Sequence, residues 1–388
     1  MPPKRVPKKR SAAAACSSSA ASSSSPAAVA SASPIRKLYR NLLECVFAFA
    51  SFQGLCTLMR VSREWNVAVL TMPSIRAAVI REDLCWPATP ADPLSCLTRS
   101  RLRRHVSELR SGMQQRDGSR HLYSVEGSRL LSVSSALPWM RSIVTHASTD
   151  HDVAPLCDAL SQLTSIAHLS IVFWYSQKPV NLAFNRVVEV CGSLRSLQTL
   201  SLRLSSAPDL SVELLLSPLG GLTQLREFQL DWGSSPSPFA FRANPWPVNA
   251  DSFTQGLKAC AQMQTVVVAN LPLKARHMEE LLACWSLLST LEMRGFPQLD
   301  SLRGFVACSP SLLKRLILSD VPLCHPVELE HLLSLRRMER LAIRNMQAHV
   351  PAVLKDPFCR GPRFPSLLFA EFYHGDGLHE NEFAIFNR

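Results

Sequence analysis

LSTLEM at residues 288–293, LKRLIL at 313–318 and MERLAI at 338–343 repeat one arrangement, with apolar residues at the first, fourth and sixth positions and starts 25 residues apart. Upstream the same arrangement recurs as Met263, Val266, Val268; Leu225, Phe228, Leu230; Leu197, Leu200, Leu202; and Ile166, Leu169, Ile171. Weaker copies stand at either end, Met140, Ile143 and Thr145 before the series and Leu367, Ala370 and Phe372 after it. The fourth and sixth positions alternate with polar fifth and seventh positions. A period of two marks a strand with one face inward, so each copy predicts a short strand.

Between these strands lie segments with helical spacing, ARHMEELLACW at 275–285, DSLRGFVAC at 300–308 and PVELEHLLSL at 326–335. A strand and a helix per repeat, neither able to bury its apolar side alone, must stack on their neighbours, which predicts an α/β solenoid. The pattern resembles the leucine-rich-repeat family. That resemblance implies a horseshoe over residues 137–388, with parallel strands on the concave face and helices outside. The family's usual Asn or Cys at the ninth repeat position is replaced here by Ser205, Gly233, Leu271, Phe296, Val321 and Met346, so no asparagine ladder is expected. Instead Cys260, Cys284 and Cys308 recur near the helix ends, where a small apolar side chain lets helix approach helix. The longer interval between Leu225 and Met263 holds SSPSPFAFRANPWPVN at 234–249, a Pro-rich loop that is either a tolerated insertion or a binding loop displaying Trp246.

Composition narrows the function classes. The chain has 388 residues, 47% of them hydrophobic, enough for one large unit with a real core and a smaller one. Net charge is +12, yet Lys4, Arg5, Lys8, Lys9, Arg10, Arg36, Lys37 and Arg40 all precede the first acidic residue, Glu44. Most of the excess therefore precedes Glu44, at the N-terminal end of the chain, which leaves nucleic-acid binding by the folded part with little support. The 12 cysteines are scattered singly, without CxxC pairs or zinc spacing, which argues for a reducing compartment and against a metal knuckle. No uninterrupted apolar run is long enough to predict a membrane span.

Residues 1–34 combine the cluster KRVPKKR with an Ala/Ser-rich tract and are expected to be disordered, because so little apolar surface cannot offset the entropy of ordering. Lys4 to Arg10 suit a nuclear import signal, a solubilising tail or a transit segment, so the expected location is cytoplasmic, nuclear or both. Residues 35–80 predict a small helical unit. In LYRNLLECVFAFA at 38–50, Leu42, Val46, Phe47 and Ala50 share a face; in GLCTLMRVSREWNVAVLT at 54–71, Leu55, Leu58, Val61 and Trp65 recur at helical spacing before a stop at Pro73. Residues 81–136 read as a linker and helical support, with the basic run RSRLRRHVSELR at 99–110 helical in pattern.

The series Leu42, Leu43, Glu44, Val46, Phe47, Leu55, Leu58, Val61, Ser62 and Trp65 resembles the F-box family. In that family a short N-terminal box is often followed by a leucine-rich-repeat solenoid, the order found here. The resemblance implies a substrate receptor of an SCF-type cullin-RING ubiquitin ligase. Leu43, Val46, Phe47, Leu55, Leu58, Val61 and Trp65 would dock a Skp-type adaptor joined to the cullin scaffold. The repeats would hold a protein target, and other subunits would transfer ubiquitin, so neither a catalytic residue nor a cofactor is implied on this chain. The other reading is a leucine-rich-repeat scaffold for protein–protein interaction without a ligase link, in which residues 38–75 only cap the solenoid.

No HExxH, GxxxxGK[ST], GxSxG or GxGxxG motif occurs, and no enzyme is expected. Candidate target-binding residues on the concave face are Arg203, Asp231, Trp232, Glu292, Arg294, Arg315, Arg340 and Arg344. The arginines gather toward the C-terminal end, where they would suit an acidic or phosphorylated segment, although a solvated sheet face carries charges too.

Overall fold

The structure is a computed structural model that describes residues 42, 57–71, 77–81, 108–112, 125–126, most of 130–147, 150–173, 181–204, 213–232, 247–308, 312–321, 328, most of 331–344 and 369–373. The arm 1–34 and its charge cluster lie outside these residues, as do Leu43, Val46, Phe47, Leu55, Leu367 and Trp246.

The solenoid is built on one parallel sheet. Its strands are β1 (Ala77–Arg81), β2 (Glu108–Gly112), β3 (Val125–Glu126), β4 (Ser142–Ala147), β5 (His168–Phe173), β6 (Thr199–Leu204), β7 (Glu227–Trp232), β8 (Thr265–Ala269), β9 (Thr290–Arg294), β10 (Arg315–Ser319), β11 (Arg340–Arg344) and β12 (Phe369–Tyr373). From β4 onward each strand pairs with the next in the chain, so the sheet grows by one strand per repeat. Register follows the sequence pattern: Leu291, Leu316, Leu341 and Ala370 are direct partners across four strands, and Met293, Leu318, Ile343 and Phe372 are partners two residues on.

All eight first-position residues from Met140 to Met338 are buried, as are the fourth-position residues from Ile143 to Leu341 and the sixth-position residues from Thr145 to Ile343. Each such aliphatic side chain contributes about 1.5–3 kcal/mol on burial. The core is therefore three parallel rows running the length of the sheet. This is an α/β solenoid of stacked strand-and-helix repeats.

Helices cover the other side of the core: α1 (Arg63–Thr71) belongs to the N-terminal unit, while α2 (Asp150–Gln162), α3 (Asn181–Gly192), α4 (Ala250–Lys258), α5 (Ala275–Cys284) and α6 (Gly304–Cys308) alternate with strands. Local chemistry sets their starts. Asn249 caps α4 by accepting from Ser252 N at 2.8 Å, and His277 Nδ1 accepts from Lys274 N at 3.0 Å at the head of α5. Successive helices are linked across their exposed side by Asp251 with Arg276 at 3.2 Å and by Glu279 with Arg303 at 2.8 Å. Solvent screens such exposed pairs, so they contribute little to stability. The Pro-rich loop returns to the body where Leu214 N donates to the Pro247 carbonyl at 2.6 Å and Asn249 N donates to the Leu214 carbonyl at 3.2 Å.

The turn leaving each strand is where the sequence reading is incomplete. Asn270, Gly295 and Asp320 occupy the same repeat position, and all have positive φ, 54°, 67° and 55°. Their N–H groups donate to the carbonyls of Arg294, Ser319 and Arg344 in the following repeat. The next residues, Leu271, Phe296 and Val321, are buried. An apolar row thus fills the place of an asparagine ladder, and the chain reverses through left-handed residues instead. At Gly295 a Cβ would also run into Asn270 Oδ1. Gly295→Ala is therefore expected to destabilise the protein by about 1–2 kcal/mol, read as a lowered midpoint in urea.

Several expectations are corrected. Among the described residues the sheet includes β1 and β2 as well, β1 pairing with β2 and β2 with β4, inside stretches read as helical unit and linker. The basic run at 99–110 ends in strand, Glu108 to Arg110, where a helix was expected; its first residues are outside those described. The stretch 54–71 is not one helix: a turn at Met59–Val61 interrupts it, and α1 starts afresh with Ser62 Oγ accepting from Trp65 N at 3.1 Å. Ser62 is a helix N-cap, and a strong cap here ends one helix by beginning another. Of 300–308 only Gly304–Cys308 is helical; in 326–335 Glu328 is helical, His331–Ser334 form a 3-10 turn, and residues 326–327 and 329–330 lie outside those described.

Candidate binding face

Parallel register turns the outward residues of the strands into rows. The first row runs Ser142, His168, Thr199, Glu227, Thr265, Thr290, Arg315, Arg340, Phe369. Two residues on, Val144, Ser170, Ser201, Gln229, Val267, Glu292, Ile317, Ala342 and Glu371 form a middle row. In the last row Val172, Arg203 and Asp231 are register partners on β5 to β7, and Arg294, Ser319, Arg344 and Tyr373 are partners on β9 to β12.

These rows differ along the solenoid. On β5 to β7 the side chains satisfy one another: His168 Nδ1 meets Thr199 Oγ1 at 3.0 Å, Thr199 donates to Glu227 Oε2 at 3.3 Å, and Ser201 donates to Gln229 Oε1 at 3.2 Å. Because Thr199 has one proton and gives it to Glu227, His168 is the donor to Thr199. On β9 to β11 the outward positions are dominated by arginine. Arg294 Nε donates to Glu292 Oε1 at 2.8 Å, and its Nη2 contacts the same oxygen. Lys314 and Glu339 pair at 2.8 Å just outside Arg315 and Arg340.

Seven of the eight sequence-selected target residues fall on outward rows: Arg203, Asp231, Glu292, Arg294, Arg315, Arg340 and Arg344. Glu292 is buried, held by Arg294. Trp232 is the register partner of Leu204 at the end of β7. Thr199 and Ile317 join the same rows, and only register places them there.

No family model and no curated protein sequence matches the chain. Among solved structures it is similar to an internalin from Listeria monocytogenes, at 15% identity and a TM-score of 0.35, over 60% of this chain and 68% of that one. It is also similar to TLR13 in a complex with single-stranded RNA, at 13% identity and a TM-score of 0.28, over 61% of this chain and 44% of that one. The repeat architecture stands on the register of the sheet itself.

The remaining chemistry is structural. Burial pushes the Cys157 and Cys191 thiols up, and pushes Cys260 up to about 12, which disfavours the thiolate that nucleophilic or redox chemistry requires. Cys260 is enclosed, its Sγ 3.9 Å from the Leu219 carbonyl, in keeping with a close-packing role. No group of His, Cys, Asp and Glu among the described residues could hold a metal ion, and no helix among them is long and apolar enough to cross a membrane.

On the N-terminal unit, Ala68 and Val69 of α1 are buried, whereas Val61 is 59% exposed, Val67 52% and Leu42 63%. Leu58 and Trp65 are half-buried. Three of the seven sequence-selected adaptor residues, Leu58, Val61 and Trp65, are thus placed in one short turn-and-helix with apolar surface toward solvent.

Proposed function

We propose that this chain is a substrate-receptor subunit of an SCF-type ubiquitin ligase, docking a Skp-type adaptor through residues 35–80 and a target protein through the outward face of the solenoid. The observation that carries the reading is the exposed apolar set Val61 and Val67, beside half-buried Leu58 and Trp65, on a helical segment that precedes a leucine-rich-repeat solenoid. Large aliphatic side chains left in water next to buried ones favour a partner surface. The fold supports the coarser part, protein–protein interaction. The ligase link adds the F-box resemblance of the motif from Leu42 to Trp65. For residues 1–34, with their basic cluster Lys4 to Arg10, the proposed role is nuclear import.

Co-purification from cells decides between this and a scaffold without a ligase. The wild-type chain is expected to retrieve a Skp-type adaptor and a cullin, while Val61→Glu with Trp65→Ala loses at least about tenfold of both, since a charge placed in a desolvated contact costs several kcal/mol. Circular dichroism of the variant should retain the solenoid signal. Wild-type complexes free of adaptor would remove the ligase reading and leave the scaffold.

A further inference from the structure

Each strand from β5 to β11 has a neighbour on either side, so both of its edges are paired. β12 ends the order and pairs with β11 alone, from Phe369 opposite Arg340 to Tyr373 opposite Arg344. Successive residues of a strand direct their N–H and C=O groups to alternate edges, so about half of the backbone groups of β12 face away from β11. Among the described residues no strand pairs with them. An open edge of this kind accepts a further strand, and a solenoid needs its last repeat covered.

The chain supplies such a strand directly downstream. Residues 374–388 read HGDGLHENEFAIFNR and lie outside those described. Gly375, Asp376 and Gly377 tolerate the positive φ of a tight reversal, and Phe383, Ala384, Ile385 and Phe386 form a short apolar run with three strong strand formers. Length fixes the direction of pairing. Only residues 374–381 stand between Tyr373 and Glu382, too few for a parallel crossover of about a dozen residues but ample for an antiparallel return. A return across that loop sets Phe383 opposite Phe372 and Ile385 opposite Ala370. Ala370 and Phe372 are the register partners of buried Leu341 and Ile343, so the two apolar rows of the sheet would run one strand further.

We infer that the open edge of β12 is the docking site of this chain's own segment 382–386, which adds an antiparallel strand and closes the C-terminal end of the sheet. The sheet's other end, β1, stands at the opposite end of the strand order. Seated in this way the segment denies the edge to other chains, because an uncovered edge is a template for self-association. The inference does not depend on the receptor reading.

Hydrogen exchange followed by mass spectrometry, on the 388-residue chain at two protein concentrations, reads the β12 amides directly. Deleting residues 377–388 should speed exchange in Phe369–Tyr373 about tenfold or more, while Thr199–Leu204 on β6 keeps its rate and shows that the solenoid is still folded. Ile385→Asp should match the deletion, since it places a charge in the apolar row, whereas Ala384→Asp, at the alternate position, should leave exchange within about twofold. Exchange in β12 unchanged by the deletion would overturn the inference, as would protection lost with Ala384→Asp and kept with Ile385→Asp. Protection that rises with concentration and survives the deletion would give the edge to a second copy instead. If the shortened chain loses protection on β6, the two point substitutions carry the test.

Discussion

Trp285→Ala is expected to cost about 3–5 kcal/mol and to melt the C-terminal repeats ahead of the rest. Trp285 closes α5 and is one of the largest fully buried side chains, and its indole Nε1 donates to the Leu257 carbonyl of the preceding repeat at 3.0 Å. Truncation removes the side chain's own burial, opens a cavity between α5 and its neighbours, and removes the indole hydrogen bond between repeats, although the Leu257 carbonyl still accepts from Cys260 N. In a solenoid each repeat contacts mainly the next, so a loss at one interface is not shared by the whole chain but uncouples the two sides. Urea unfolding followed by circular dichroism should therefore split into two transitions, with limited proteolysis releasing an N-terminal fragment that retains the strands before β8. Trp285→Phe keeps most of the volume and loses one hydrogen bond to a carbonyl that keeps another, so it should cost less, about 0.5–1.5 kcal/mol. A single transition at the wild-type midpoint would show that Trp285 does not link the repeats.

That dependence of one repeat on the next also explains what could be read from the sequence. The rows through Leu291, Leu316 and Leu341 were legible because the strand period and the repeat period are both carried by the same apolar residues, and burial enforces them. Even the weak copy Met140, Ile143 and Thr145 is buried throughout, since Thr145 occupies a position that stacking alone determines. Strands β1 and β2 were harder to read: AAVIR is apolar at four of its five positions, but its partner ELRSG has only Leu109 apolar, so the pattern breaks between β1 and β4. The left-handed turn at Asn270, Gly295 and Asp320 has a readable cue, three residues that tolerate positive φ at one repeat position, next to the more conspicuous apolar row of Leu271, Phe296 and Val321. The binding face was half legible: alternation places Arg315 and Arg340 outward, but only register puts them beside one another.

Gly256→Ala should be nearly as damaging as a core truncation although it adds only a methyl group. Helix α4 rests on the 3-10 turn Ser217–Gly221 so closely that a Cβ at Gly256 would overlap the Leu216 carbonyl. Ser252, one turn earlier on the same helix, accepts from Leu216 N and Ser217 N, both at 2.9 Å. The obstacle is backbone, which cannot turn aside as a flexible side chain would. The helix must move away, and moving it stretches both bonds to Ser252 at a buried site. Overpacking of this kind costs about 1–3 kcal/mol, and weakened buried hydrogen bonds add to it. Gly220 provides the contrast on the opposing surface, because a Cβ there meets nothing nearer than 3.8 Å. Gly220→Ala should therefore be neutral or slightly stabilising through the reduced entropy of the unfolded chain. Measured together by thermal unfolding, the two substitutions separate close approach from glycine's general flexibility. Equal effects at both positions would mean that α4 does not owe its seat to the missing side chain at Gly256.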